Sequence, residues 1–245
     1  MTPEEKFVFD LEGYFVIKGV LDDAEVAEMN AFVANGRPEG PPSLWGEPFK
    51  KLIDHPKVLP YLLELIGPYV RLDHDYAIFM DQGQSRGRLH GGEDGGRPGG
   101  AEGDHWYKYW DGVMRNGLCV MSYMLADAAE GDGGFACVPG SHKSRFLGEI
   151  PAAVRSFETP AHYVVQPAVE AGDALFFTEA LVHGTAPWTA AHQRRSLLFK
   201  YSPGHSAWNA NYPDATAYGE LSERQRRILL PPSIGKRPRV DEAEG

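Results

Sequence analysis

The stretch AGDALFFTEALVHGTAPWTAAHQRRSLLFKY, residues 171–201, decides the fold. It holds two apolar runs, DALFFTEALVHG and RRSLLFKY, separated by turn residues, which is typical of two β-strands. If these strands pair antiparallel, His183 in the first and Arg194 at the start of the second face the same cavity. A neutral imidazole can bind a metal, and an arginine can grip a carboxylate with two hydrogen bonds. The stretch therefore predicts both a β-rich fold and a polar site inside it.

Further β-rich runs precede this stretch. They read YVRLDHDYAIFM, GLCVMSYMLA, GFACVPG and HYVVQPAV, and all lie after residue 68. Such a succession of short strands predicts a sandwich or barrel. The expected fold class is mainly β with flanking helices.

Outside these strands the sequence favours helices and loops. The N-terminal part, about residues 1–67, contains a short strand at Tyr14–Ile17, a helix from Asp22 or Asp23 to Gly36, and a helix around Val58–Ile66. The β core is expected at about 69–205, and a lid and tail at 206–245. The tail KRPRVDEAEG is of mixed charge and is expected to be mobile.

Composition limits the classes of function. A chain of 245 residues fits a single domain over 1–245, and its formal net charge of −10 argues against binding a nucleic acid polymer or an anionic membrane. No run approaches the roughly 20 apolar residues of a membrane span. With two cysteines only and an acidic start, the protein is expected in the cytoplasm. The sequence does not indicate an oligomeric state.

A second histidine stands among glycines in GRLHGGEDGG, residues 87–96. His90 is followed at the second position by Gly92, where many metal enzymes carry an acid. None of the nine histidines in the chain has Asp or Glu two residues later. A metal bound by His90 therefore needs another source of negative charge.

Three segments together carry a resemblance: DLEGYFVIKGVLDDAEV, GDGGFACVPGSHK and the opening stretch. In this order they resemble the phytanoyl-CoA dioxygenase-like Fe(II)/2-oxoglutarate oxygenases, over most of residues 7–205. The resemblance implies a double-stranded β-helix, or jelly roll. It also implies that His90 and His183 bind iron, that Arg194 holds the far carboxylate of 2-oxoglutarate, and that Thr185 and Tyr123 line the cosubstrate. Arg195 belongs to the opposite strand face.

The missing acid leaves three interpretations open. The His-x-Gly pattern resembles the halogenase subgroup, in which chloride fills the place beside Gly92 and the cofactors are Fe(II), 2-oxoglutarate, O₂ and chloride. Alternatively, Glu93 or Asp94 reaches the iron and the enzyme is a hydroxylase, because glycine permits the backbone bulge this needs. The third interpretation is a noncatalytic jelly roll that only binds a ligand.

The segment DHWYKYWDGVMRNG, residues 104–117, suggests a substrate class. Aromatic faces stack on flat heterocycles and cations hold phosphates. We expect substrate contacts from Trp106, Tyr107, Lys108, Tyr109 and Arg115, and a small anionic substrate. The resemblance extends to the nucleotide halogenases of 2′-chloropentostatin antibiotic biosynthesis, which implies a nucleotide such as 2′-deoxyadenosine monophosphate. The segment HSAWNANYP, residues 205–213, is expected to close over the site.

Overall fold

Helices dominate the first part of the chain and strands the rest. The structure, a computed structural model, describes residues 1–36, 38–92 and 105–245. The α-helices are α1 (Pro3–Glu12), α2 (Asp23–Ala34), α3 (Glu47–Lys50), α4 (Leu59–Leu65), α5 (Ala152–Arg155) and α6 (Glu223–Ile228). The strands are β1 (Tyr14–Ile17), β2 (Arg71–Met80), β3 (Tyr107–Trp110), β4 (Val113–Asn116), β5 (Cys119–Met124), β6 (Gly134–Cys137), β7 (Ala174–Thr178), β8 (His183–Ala186) and β9 (Arg194–Ser202).

The start of helix α2 follows the sequence. The Asp22 side chain accepts a hydrogen bond from the Glu25 backbone N–H, and the Glu25 carboxylate accepts one from the Asp22 N–H, both 2.9 Å long. This reciprocal capping satisfies two backbone donors that the first helical turn leaves unpaired. The predicted start is confirmed, and the helix ends at Ala34, two residues before Gly36.

A five-stranded antiparallel sheet forms the centre of the molecule, with strand order β1-β7-β5-β9-β2. A smaller sheet pairs β6 with β8, and isolated bridges add His90 beside β8 and Val165 beside β6. A separate hairpin joins β3 to β4.

The run DALFFTEALVHG is not the single strand that the sequence predicts. It divides into β7 in the large sheet and β8 in the small one, with a turn closed by the hydrogen bond from Leu181 N–H to the Thr178 carbonyl. Strand β9 pairs with β2 and β5, so the expected pairing of the His183 strand with the Arg194 strand is wrong. The two residues still face one interior because the two sheets face each other.

The predicted strand HYVVQPAV is also absent from the described structure. Val165 and Val169 make only single bridges, to Cys137 and Ala128. Pro167 lies between them and has no backbone N–H to donate to a ladder.

Two apolar layers hold these elements together. One lies between the helices and the outer face of the large sheet and includes Phe9, Leu62 and Phe176. The other lies between the two sheets and includes Cys137 and Phe177. The mainly-β class with flanking helices is confirmed, and two facing sheets are the arrangement expected of a jelly roll.

The C-terminal tail is packed rather than free, contrary to expectation. Val240 is fully buried in the outer apolar layer, and its N–H donates to the Pro68 carbonyl at 2.8 Å. Helix α6 also contributes to this layer, through Ile228.

Among the described residues, no helix is long and apolar enough to cross a bilayer.

Phe176→Ala should destabilise the fold by about 3–5 kcal/mol, the usual cost of removing a buried phenylalanine. The Phe176 side chain is completely buried, with its ring centroid 5.7 Å from those of Phe9 and Phe15. Urea denaturation measures the loss. Phe146→Ala, at a side chain that is 76% exposed, is the control and should change stability by about 0.5 kcal/mol or less. Equal effects of the two changes would contradict the packing.

Candidate metal and cosubstrate site

The two histidines singled out in the sequence lie side by side. The His90 N–H donates to the His183 carbonyl at 2.7 Å, and the His183 N–H donates to the His90 carbonyl at 2.8 Å. The two ring centroids are 4.5 Å apart. This pair of backbone hydrogen bonds fixes both Cα positions, and the imidazoles therefore meet at the edge of the small sheet.

Each imidazole is held in one tautomer. His90 Nδ1 lies 2.7 Å from the Arg88 carbonyl oxygen, and His183 Nδ1 lies 2.8 Å from that of Leu181. A carbonyl oxygen only accepts, so each Nδ1 carries the proton and each Nε2 keeps its lone pair. Metal-binding histidines are oriented by such contacts. Burial lowers the pKa of His183 to about 3, so this imidazole is neutral at physiological pH.

Glycines are required beside this pair. Gly91 has φ +87°, and a Cβ atom there would lie 2.6 Å from the Leu181 carbonyl oxygen. Gly92 has φ +97°, and its N–H donates to the Glu179 carbonyl at 3.0 Å. The polypeptide therefore passes close to the histidines without a side chain at position 92. Glu93 and Asp94, the alternative ligands, lie outside the described residues.

A buried carboxylate stands beside His183. Glu179 Oε1 accepts a hydrogen bond from Lys200 Nζ at 2.6 Å. Its Oε2 is 3.6 Å from His183 Nε2 and 3.7 Å from His105 Nε2. Burial alone would raise the pKa of Glu179, but the charge of Lys200 holds this pKa well below its ordinary value. The group is therefore an anion at neutral pH.

Sequence reasoning missed Glu179, although a signal was present. Leu175 and Phe177 face the interior between the sheets, and Glu179 continues their alternation just beyond the end of β7. An acid in this apolar run, four residues before His183, is the cue. Within the described ranges, no three His, Cys, Asp or Glu side chains already form a group that could hold a metal.

Arg194 lies inside the sandwich, as expected. Its side chain is buried, its Nη1 is 3.8 Å from Met80 Sδ, and no described carboxylate forms an ion pair with it. Burial and the neighbouring charge of Arg86 lower the pKa of Arg194 to about 10. A buried guanidinium without an anion is costly, which indicates a site for an anionic ligand.

Neighbours of Arg194 add to this anion site. Ser196 lies two residues along β9, on the same face, and its buried Oγ has no hydrogen-bond partner among the described residues. The sequence analysis did not identify this residue. A Cβ at Gly134 would lie 2.8 Å from Arg194 Nε, so glycine makes room for the guanidinium. Thr185 is half-buried and two residues after His183, on the same face of β8.

Tyr123 does not line this site. Its hydroxyl donates to the Leu52 carbonyl at 2.8 Å, and its ring packs against Phe199 in the layer between the helices and the sheet. Because strand residues alternate between faces, Tyr123 points away from the histidines. The expectation that it contacts the cosubstrate is wrong. Arg195 also points outward, as expected, and donates to Asn30 Oδ1 at 2.9 Å.

The five proposed substrate residues are dispersed. The Tyr107 hydroxyl bonds to Asp10, and Arg115 donates to the Glu64 carbonyl at 2.8 Å. Tyr109 is 64% exposed on the hairpin. Lys108 Nζ lies 5.1 Å from the centroid of the Trp106 ring. The structure therefore ties Tyr107 and Arg115 to the helical side of the protein, and the expected cluster of five does not form.

Trp208 is an aromatic residue close to Glu179 through its contact with His105. Its ring stacks on His105, with centroids 4.5 Å apart and planes at 14°. The backbone N–H groups of Trp208 and Asn209 donate to the two carboxylate oxygens of Asp73, at 2.9 and 3.0 Å. The segment 205–213 thus reaches His105, which lies beside Glu179.

Comparisons with known proteins give one family match. The family model described as "Phytanoyl-CoA dioxygenase (PhyH)" matches residues 97–196. None of the curated protein sequences compared with the chain is similar enough to match.

Solved structures show the fold. HygX from Streptomyces hygroscopicus with iron bound is 24% identical with a TM-score of 0.72, over 90% of this chain and 94% of that one. HygX with nickel, 2-oxoglutarate and hygromycin B is 21% identical with a TM-score of 0.74, over 89% and 95%. AviO1 from Streptomyces viridochromogenes Tue57 is 17% identical with a TM-score of 0.58, over 85% and 95%.

Gly184→Ala should separate the histidine pair. A Cβ at Gly184 would lie 2.6 Å from the Arg88 carbonyl oxygen, so residues 88–90 must move away from β8. We expect Ni(II) affinity, measured by isothermal titration calorimetry, to fall about tenfold or more, as when metal ligands lose their orientation. Gly148→Ala is the control because nothing lies within 4 Å of its added methyl. Unchanged affinity in Gly184→Ala would show that the pair does not bind the metal.

Proposed function

We propose that this protein is an Fe(II)/2-oxoglutarate-dependent oxygenase that acts on a small molecule. The observation that carries the proposal is the combination of two Nε2 lone pairs, from His90 and His183, with a buried guanidinium that pairs with no described carboxylate. His183 and Arg194 are both buried between the two sheets, and the exposed His90 lies against His183. The family match over residues 97–196 and the fold shared with HygX support the same class.

The spacing of the two features suits a short dicarboxylate. Gly134, which Arg194 covers, pairs with Ala186 in the small sheet. Ala186 is three residues from His183, which is about 10 Å along a strand. A five-carbon dicarboxylate can thus reach from an ion at the histidines to the guanidinium. Arg194, Ser196 and Thr185 would hold its far end.

The residues of the chain have distinct tasks in this proposal. His90 and His183 would bind ferrous iron, and Arg194 and Ser196 would orient 2-oxoglutarate. With O₂, the bound iron and 2-oxoglutarate would supply the oxidising power by converting the cosubstrate to succinate and CO₂. The protein provides ligation, orientation and exclusion of water. Trp208 and its segment would cover the site during the reaction.

The direct test is an anaerobic titration with Fe(II) and 2-oxoglutarate. The proposal predicts a metal-to-ligand charge-transfer band, followed by succinate formation when O₂ is admitted. A noncatalytic jelly roll would give neither signal, and the absence of both from wild-type protein would refute the proposal.

Arg194→Ala should weaken 2-oxoglutarate binding about tenfold or more, equivalent to at least about 1.4 kcal/mol, because a charged two-pronged contact is lost. Titration of the charge-transfer band measures this affinity, and Fe(II) affinity should change little. Arg195→Ala is the matched control on the outer face. A larger effect of Arg195→Ala would place the cosubstrate elsewhere.

Halogenation is the second candidate for the same site. Position 92 carries no side chain beside the histidine pair, which leaves space for chloride and its negative charge. In this candidate, chloride perturbs the charge-transfer band and appears in the product, whereas a hydroxylase inserts oxygen only.

Gly92→Asp tests the chloride candidate. A carboxylate at this position would take the place of the halide, so the response of the charge-transfer band to chloride should disappear. The comparison is a titration of wild-type and variant protein with chloride and with nitrate. A chloride response that survives in Gly92→Asp would contradict a halide site beside residue 92.

For the substrate we propose a small anion, such as the nucleotide 2′-deoxyadenosine monophosphate. The Trp208 ring offers a stacking surface, and Arg86 and Arg88 are exposed cations close to Arg194 and His90 in the structure. The HygX structure instead contains hygromycin B. Substrate-dependent succinate release with each compound separates an anionic from an aminoglycoside preference. We also propose that the protein is cytoplasmic and takes part in antibiotic biosynthesis.

A further inference from the structure

We propose that Glu179 supplies the carboxylate ligand that is missing after His90. This inference rests on the proposed function, because it concerns the same metal site. It assigns the third protein ligand to the turn before His183 instead of the loop after His90.

The contacts of Glu179 leave one oxygen available. Oε1 is engaged by Lys200 Nζ at 2.6 Å. Oε2 faces two imidazole nitrogens, His183 Nε2 at 3.6 Å and His105 Nε2 at 3.7 Å. Both separations are too long for a good hydrogen bond. Among the described residues, Oε2 therefore has no short hydrogen-bond partner, and it lies near the His183 nitrogen that keeps a lone pair.

The separation is close to that of two ligands of one ion. Nitrogen and oxygen ligands lie about 2.0–2.2 Å from a small divalent ion, so ligands at right angles around it are about 2.8–3.1 Å apart. The 3.6 Å between Glu179 Oε2 and His183 Nε2 exceeds this range by about half an ångström. Binding of the ion would therefore draw Oε2 toward the imidazole.

The backbone brings together the two segments that could supply the carboxylate ligand. The Gly92 N–H donates to the Glu179 carbonyl at 3.0 Å, so the loop after His90 and the turn before His183 are hydrogen-bonded at this level. A carboxylate on either segment can approach the same ion. Gly92 adds no side chain at this point, and Glu179 would supply the negative charge from the opposite segment.

Lys200 is the orienting partner of this ligand. Ligating carboxylates are themselves hydrogen-bonded in metal sites, which fixes their direction. Lys200 lies on β9, on the same face as Arg194 and Ser196, and its side chain is only 12% exposed. It compensates the buried charge of Glu179 while the second oxygen stays available.

The assignment has a chemical consequence. Two histidines and one carboxylate on one face of an iron leave positions for 2-oxoglutarate and O₂. Chloride then has no position, and the reaction is oxygen insertion. Iron ligation by Glu179 would therefore favour hydroxylation over halogenation.

Anaerobic Co(II) binding to the intact protein tests the inference without turnover. The variants are Glu179→Gln, which keeps the shape, and Glu179→Ala, which opens the position. We expect Co(II) affinity to fall at least about tenfold in both, and formate to restore part of it in Glu179→Ala by entering the vacated space. Chloride should perturb the Co(II) absorption spectrum of Glu179→Ala and leave that of wild type unchanged.

Matched controls separate ligation from general damage. Asp75→Asn changes another buried carboxylate, whose two oxygens both bond to Ser43 on the outer side of β2, and should leave Co(II) affinity unchanged. Glu93→Gln and Asp94→Asn test the loop acids. Wild-type affinity in Glu179→Gln, or a loss confined to Glu93→Gln or Asp94→Asn, would overturn the inference while leaving the proposed function intact. Failure of wild-type protein to bind Co(II) at all would overturn both.

Discussion

The bridge between His90 and His183 is the constraint on which the candidate site depends. Two reciprocal backbone hydrogen bonds, 2.7 and 2.8 Å long, join segments that are 93 residues apart in the sequence. They also leave each Nδ1 next to a carbonyl of its own segment, which keeps both Nε2 lone pairs available for a metal. Glycines 91 and 184 let the segments approach this closely. The metal chemistry proposed here is therefore a consequence of sheet formation.

Strand alternation distributes the remaining residues between two environments. On β9, Arg194, Ser196 and Lys200 face the interior between the sheets, whereas Arg195 and Tyr201 face the helices. The helices cover the outer face of the large sheet with an apolar layer. This layer makes the sheet rigid, so the polar groups inside are held at fixed separations. Inside the sandwich, Lys200 compensates the charge of Glu179, whereas Arg194 pairs with no described carboxylate.

Much of this could be predicted from sequence, because alternation and turn residues are local signals. They indicated most of the strands and the start of α2. The inward direction of Arg194 was expected from a strand pairing that does not form. Tyr123 was placed on the wrong face, since a resemblance does not fix which side of a strand a side chain occupies. Glu179 has a local cue, an acid in an apolar run, but its position beside His183 depends on the chain turning from β7 into a second sheet. Ser196 was missed because a serine in a strand gives no sign that it lacks a partner. The 104–117 segment failed for a similar reason, since Tyr107 and Arg115 find partners in distant helices.

The central claim is that the histidine pair and the buried guanidinium form one site for a divalent ion and a dicarboxylate. A crystal structure grown anaerobically with Mn(II) and 2-oxoglutarate tests this most directly. The account predicts an ion bound by Nε2 of His90 and Nε2 of His183, with the far carboxylate of 2-oxoglutarate on Arg194 and Ser196. An ion bound away from these histidines, or a dicarboxylate that does not contact Arg194, would contradict it.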